Sequence, residues 1–526
     1  MTAIRSWCPK WAVLRALACV VAAGAALGAP VAHADAASEA ATAALVDEVA
    51  GNPARLRVVL QAMPKGADLH NHLGGSVYAE DFLKVAATRG LCADEAISRL
   101  VPAPCPAERQ VATMAVDDPF TYAKLVDALS TRGFQKGIGP ELVSGHSQFF
   151  SSFGKFGPAF AGEVPRWLAD AYASAGRNNL VYLELMYNPE RLSRYMVGAA
   201  VDEPLDASML AASYKREIAT VEGLLDETMA DVTRNDAEAR KRLGCGTGAA
   251  RAGCDVAVRY LYSGMRGVAP AMVWRSLLAG FALAHRDPRF VGVNIVMPED
   301  DPVALRDYDL HMAMFRFLEA KYPEVKVTMH AGELALGLVP PLDLEDHIAK
   351  AVDAGAKRIG HGIDIAYEKA SPETLARMAR EGIAVEINLT SNAVILGVAG
   401  GEHPLHLYRA MGVPVALSTD DEGVLRSDMS NEYVRAVTQQ GLGYADLKEL
   451  TRASLEYAFV PGASLWRARR LGEAVAPCAA SLADRACAAF LARNEKARLQ
   501  ARLETNLDAF EHGLGRFAGQ QGAKGD

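Results

Sequence analysis

Two histidines, His70 and His72, stand two residues apart in the run Asp68-Leu69-His70-Asn71-His72. Residues two apart on a β-strand share a face, so both imidazoles could reach one metal ion. Three more clusters carry related chemistry: His330-Ala331-Gly332-Glu333, Gly360-His361-Gly362 and Ser418-Thr419-Asp420-Asp421. Each has a plain alternative. His-x-His pairs occur without metals, His361 alone could be a satisfied core histidine, and Asp-Asp often serves as a turn or helix cap. What sets the four apart is placement, because each lies at the end of an expected strand. Three imidazoles and one carboxylate match a catalytic zinc shell with a position left for water. Such a shell brings the pKa of water down to about 7. Iron, manganese and cobalt accept the same ligand types.

The elements that must position these clusters are eight runs rich in Val, Ile, Leu and Tyr, at 67–72, 180–186, 256–263, 290–296, 325–330, 358–361, 384–388 and 413–418. Their nearly continuous apolar character predicts strands buried on both faces, as in parallel sheets. Helical patterns lie between them, at 305–321, 343–354, 372–381 and 405–411. Eightfold strand–helix alternation predicts an α/β fold, a (β/α)8 TIM-type barrel, whose active site is built at the C-terminal strand ends. Helical insertions follow the first two strands, at about 80–178 and 190–253, the second carrying a charged helix over 215–242. Further helices are expected at 446–458 and 493–512. The barrel with its insertions spans 35–515, and 516–526 reads as a disordered tail.

Residues 1–34 read as a signal peptide: Arg5, Lys10 and Arg15, then an apolar stretch, then Ala32-His33-Ala34 as a cleavage site. Two of the eight cysteines fall in it. The other six form three close pairs, Cys92 with Cys105, Cys245 with Cys254 and Cys478 with Cys487. Six cysteines allow fifteen connectivities; the local one is the simplest. It implies an oxidising compartment, hence export to the periplasm or beyond. The chain of 526 residues has a net charge of −8 and no long Lys/Arg run. That is a poor basis for binding nucleic acid, and no membrane-surface stripe is visible.

The clusters, in this order, resemble the adenosine deaminase family of metal-dependent hydrolases, over most of the chain from Met63 to Gly462. Leu389-Thr390-Ser391-Asn392, His403-Pro404-Leu405 and Leu450-Thr451-Arg452-Ala453-Ser454 add to the match. The signal peptide, Met63-Pro64-Lys65-Gly66 and the insertion after the first strand resemble the secreted branch, the adenosine deaminase-related growth factors. The resemblance implies one zinc per chain, held by His70, His72, His330 and Asp420. It implies Glu333 as the acid that protonates purine N1. His361 would orient the attacking water and accept or shuttle its proton, and Asp421 would bind the base at N7. The implied reaction converts adenosine or 2′-deoxyadenosine to the inosine product and ammonia.

Two positions depart from the family pattern. Gly74 stands where the family usually has a ribose-contacting Asp, and Met297 where a Gly usually presents its backbone to the purine. Ser76 or a residue of 146–155 could replace the lost ribose contact. Phe149, Phe150, Phe153 and Phe156 fit either a lid or plain core. Two other readings stay open: a deaminase of adenine or another aminopurine, and an extracellular binding protein on a retired barrel. The sequence sets no oligomeric state.

Overall fold

The computed structural model describes residues 36–134, 143–199 and 204–522. The expected signal peptide lies outside the described residues. Eight parallel strands form one sheet in chain order: β1 (Ala67–His72), β2 (Tyr182–Met186), β3 (Ala257–Met265), β4 (Phe290–Val296), β5 (Lys326–Ala331), β6 (Arg358–His361), β7 (Ala384–Ile387) and β8 (Val415–Leu417). β2, β6, β7 and β8 are buried along their whole length, which explains their mostly apolar character and makes the few polar side chains in them notable. The sheet closes on itself. Asn71, in β1, bridges Asp420 in parallel register, Asp420 N–H donates to the His70 carbonyl at 2.8 Å, and His72 N–H donates to the Asp420 carbonyl at 3.2 Å. The expected (β/α)8 barrel is present, and β1, β4 and β6 have the bounds read from sequence.

The helices depart more. The expected helix 305–321 breaks at Asp307 into Pro302–Arg306 and Tyr308–Glu319. The one expected at 343–354 begins only at His347, after a 3-10 turn from Pro341 to Leu344. A helix that the sequence reading missed, Met429–Gln440, is capped by Asp428, which accepts from Asn431 N–H at 2.8 Å. The C-terminal helix runs from Glu495 to Gly522, so 516–522 is helical rather than tail.

Between β1 and β2 the described residues form six α-helices, from Ala79–Thr88 to Val164–Arg177, and a small strand pair, Cys92–Ala93 with Leu100–Val101. Between β2 and β3 the largest element is the helix Leu210–Arg242. Disulfides join Cys92 to Cys105, Cys245 to Cys254 and Cys478 to Cys487, the local pattern expected from sequence. Among the described residues no helix is long and apolar enough to cross a membrane.

Candidate active site

The C-terminal ends of β1, β5, β6 and β8 converge, and with them all four clusters. One ligand atom from each of His70, His72, His330 and Asp420 falls within 4.8 Å of the others. His70 Nε2 lies 3.0 Å from His330 Nε2 and 3.4 Å from His72 Nε2. Asp420 Oδ1 lies 3.1 Å from His72 Nε2 and 3.5 Å from His70 Nε2. Glu333, His361 and Asp420 form a second group that shares the aspartate.

The ring nitrogens turned away from the cluster are held by other side chains. His70 Nδ1 lies 2.7 Å from Glu386 Oε2. Asn294 Oδ1 accepts from the His330 backbone N–H at 3.1 Å and lies 3.1 Å from its Nδ1. Such partners fix the ring orientation and leave Nε2 free for a metal. Glu386 is fixed in turn by the buried Arg358, which also pairs with Glu184, and by Thr328 Oγ1 at 2.9 Å. Sequence reading missed these groups. Their signal was a polar side chain inside an apolar strand: Glu386 in β7, Asn294 in β4 and Glu184 in β2.

Electrostatics fit a cation here. Burial opposes charge on His70, yet hydrogen bonds to Asp420 and Glu386 override it and lift its pKa to about 10. Burial would raise Asp420, but hydrogen bonds from His70 and His72 hold it well below the usual carboxylate range. His330 is pushed down by burial and by its histidine neighbours, so its ring is neutral, the form in which histidine binds a metal. A centre of this kind stabilises positive charge, as one proton or as a cation shared by four ligands. The donor set fits a divalent metal.

The remaining acids have the opposite character. Burial first, then the Asp420 charge, raises the Glu333 carboxyl well above its ordinary value, and the same two causes raise Asp421. Each is a potential proton donor. Asp421 Oδ1 is buried without a hydrogen-bond partner. The segment bearing His330 and Glu333 is gripped from behind. Arg266 Nη1 donates to the His330 carbonyl at 2.9 Å, and Glu299 accepts from Glu333 N–H at 2.9 Å.

Three of the singled-out residues, Met297, His361 and Asp420, adopt left-handed backbone at φ 87°, 68° and 60°. Non-glycine residues seldom do so, and such strain gathers at functional sites. Met297 thus keeps the backbone conformation that glycine would favour, and its carbonyl is taken by Arg266 Nε at 2.9 Å.

Of the four residues of the cluster, His72 alone has appreciable exposure, 18% of its side chain. Gly74, two residues on, is partly buried. A Cβ built on Gly74 would meet Phe160 Cε2 at 3.9 Å and nothing else within 4 Å. The proposed replacements do not occupy that place: Ser76 Oγ donates back to the Leu73 carbonyl, and His146 pairs with Asp300 at 3.0 Å. Phe149 and Phe156 are buried core, while Phe150 and Phe153 are partly buried against it. The helix bearing His146, Phe149 and Phe150, Gly145–Ser152, contacts Asp300, beyond β4, and the Val394 carbonyl, beyond β7.

Two glycines make room for the site. A Cβ at Gly75 would stand 1.5 Å from Asp421 Oδ1, and one at Gly360 would stand 2.7 Å from His70 Cε1.

A family model described as adenosine deaminase matches residues 164–475. An adenosine deaminase of Mycobacterium marinum is 28% identical over 317 residues, 57% of this chain and 81% of that protein. An adenine deaminase of Sinorhizobium medicae is 28% identical over 262 residues, 48% of this chain and 75% of that protein. The solved structure of an ADAL–IMP complex superposes with a TM-score of 0.50 at 20% identity, over 77% of this chain and 94% of that one, a likeness of fold. With the family model matching more than half of its length, on a barrel whose strand ends gather three histidines and an aspartate, the chain belongs to the adenosine deaminase family of metal-dependent hydrolases.

Proposed function

We propose that the chain is an exported, zinc-dependent adenosine deaminase, releasing ammonia from adenosine and 2′-deoxyadenosine. The observation that carries this reading is the gathering of His70, His72, His330 and Asp420, with one ligand atom each within 4.8 Å of the others, beside two buried carboxyls, Glu333 and Asp421, whose pKa burial raises. His70, His72, His330 and Asp420 would hold one zinc ion. When bound, the metal supplies hydroxide at neutral pH by acidifying water. Hydrolysis at the carbon bearing the amine breaks ring aromaticity, so N1 must gain a proton. Glu333 holds a proton for that step, and its buried surroundings keep the acid neutral until it is needed. The positive charge of a cation held by the four ligands would oppose the rise in the Glu333 pKa. Asp421, with a buried and unpartnered oxygen, suits donation to N7 of the base. His361 orients the attacking water.

Export is supported by the N-terminal signal pattern and by the three disulfides, which persist in oxidising compartments. A second reading, deamination of adenine, is favoured by the apolar Phe160 edge beside Gly74 and by the adenine deaminases among the relatives. A substrate panel that follows ammonia release with and without a chelator separates the two. Chelator-sensitive turnover of adenosine supports the first reading; turnover of adenine with none of either nucleoside replaces it with the second.

A further inference from the structure

Two motifs have no part in the reaction as described, Leu389-Thr390-Ser391-Asn392 and His403-Pro404-Leu405, yet both lead to His361. The chain of hydrogen bonds starts at a backbone amide. Leu405 N–H donates to His403 Nδ1 at 3.1 Å. A backbone N–H is always a donor, so Nδ1 accepts. Burial holds the His403 pKa down at about 4, with the His406 charge adding to the effect. The ring is therefore neutral and carries its one proton on Nε2. That nitrogen lies 3.1 Å from Asn392 Oδ1 and donates to it. The amide is thereby fixed with its NH2 toward His361, and Asn392 Nδ2 donates to His361 Nδ1 at 3.0 Å. A second amide nitrogen, Asn388 Nδ2, faces the same atom at 3.5 Å.

A ring nitrogen facing two amide donors is an acceptor. The proton of His361 therefore sits on Nε2. That atom is buried and has no hydrogen-bond partner. It faces the reaction centre, 3.6 Å from Glu333 Oε1 and 4.0 Å from Asp420 Oδ2.

We propose that Asn392 and His403 are positioning residues that lock His361 in its Nε2–H tautomer, making it a hydrogen-bond donor into the reaction centre. The catalytic meaning rests on the deaminase reading; the tautomer itself does not. A nitrogen that already carries a proton cannot take one from the attacking water. In the resting site His361 aims and stabilises the oxygen, and Glu333 is left as the group that carries a proton. The sequence expectation that His361 accepts or shuttles the proton is replaced by this narrower role.

The test is 15N NMR of zinc-loaded protein labelled in its histidine rings, with the His361 signals assigned by their loss in His361→Gln. A directly bonded proton on Nε2 and none on Nδ1 is expected. In Asn392→Asp a carboxylate oxygen replaces the amide donor. Nδ1 should then gain a proton, with zinc content unchanged, KM little altered and kcat reduced about tenfold or more. His403→Leu frees the Asn392 amide and should lower kcat. His403→Gln keeps both an acceptor for Leu405 N–H and a donor for Asn392, and should recover most of it. A proton on Nδ1 of the unmodified protein overturns the proposal. So does an unprotonated Nδ1 in Asn392→Asp, or, should that variant not fold, equal activity of His403→Leu and His403→Gln. The expected tautomer in a protein that deaminates no nucleoside would leave this proposal standing and overturn the deaminase reading instead.

Discussion

Asp420 and His70 are joined twice: the Asp420 backbone N–H donates to the His70 carbonyl at 2.8 Å, and Asp420 Oδ1 lies 3.5 Å from His70 Nε2. The seam that closes the barrel between β8 and β1 is thus also part of the metal cluster. A cation shared by these residues would hold the two edges of the sheet together.

Metal binding should therefore stabilise the fold. Elemental analysis should find about one zinc per chain. Stripping it with a chelator should lower Tm as well as activity, since a ligand bound only by the native state adds stability, about 2.7 kcal/mol at a hundred times its Kd. His330→Ala should lose metal and activity together. Glu386→Gln, which weakens the hold on His70 Nδ1, should cost about 10–100-fold in metal affinity. Unchanged zinc affinity in that variant would contradict an orienting role for Glu386.

Glu333→Gln should keep fold and metal while losing deamination. The amide is nearly isosteric but cannot transfer a proton, so kcat should fall by at least about 10²–10⁴-fold. Near-normal turnover would show that another group is the acid.

Gly75→Ala should damage base recognition without touching the metal. The added methyl would lie 1.5 Å from Asp421 Oδ1, so the carboxyl must move. We expect kcat/KM to drop by about tenfold or more while zinc stays bound, because small displacements of positioning groups are costly. Full activity would mean that Asp421 does not read the base.

The surroundings of Gly74 bear on the sugar. No polar atom stands within 4 Å of where a side chain there would begin, only the edge of Phe160. A site without a buried group for a hydroxyl has little to lose when the hydroxyl is missing. Adenosine and 5′-deoxyadenosine should differ by less than about tenfold in kcat/KM. A large preference for adenosine would locate a 5′-hydroxyl contact elsewhere.

Each disulfide closes a short loop and should stabilise by about 2–3 kcal/mol in the chain-entropy model. Replacing Cys478 and Cys487 together by serine should lower Tm while leaving kcat unchanged, since that pair lies in the C-terminal part of the chain, apart from the clusters. Peptide mapping under non-reducing conditions should recover the three local pairs and no mixed ones.

The sequence alone determined which residues could hold a metal and that a barrel would carry them. Strand ends are legible where a His or Asp closes a mostly apolar run, as His330 and Asp420 do, and the same placement at the ends of the other expected strands made His72 and His361 candidates. Local loop closure likewise made the three cysteine pairs legible. What only the tertiary structure decided are contacts between residues hundreds of positions apart. Glu386 meets His70 across 316 residues, and Gly75 yields its space to Asp421 from the far end of the barrel. No local pattern records such pairings, because they depend on which strands become neighbours when the sheet closes. The tautomer of His361 belongs to the same class. It is set by Asn392 and by His403, 42 residues on in the chain, and becomes visible only when the direction of each hydrogen bond is followed back to a backbone amide whose donor role is fixed.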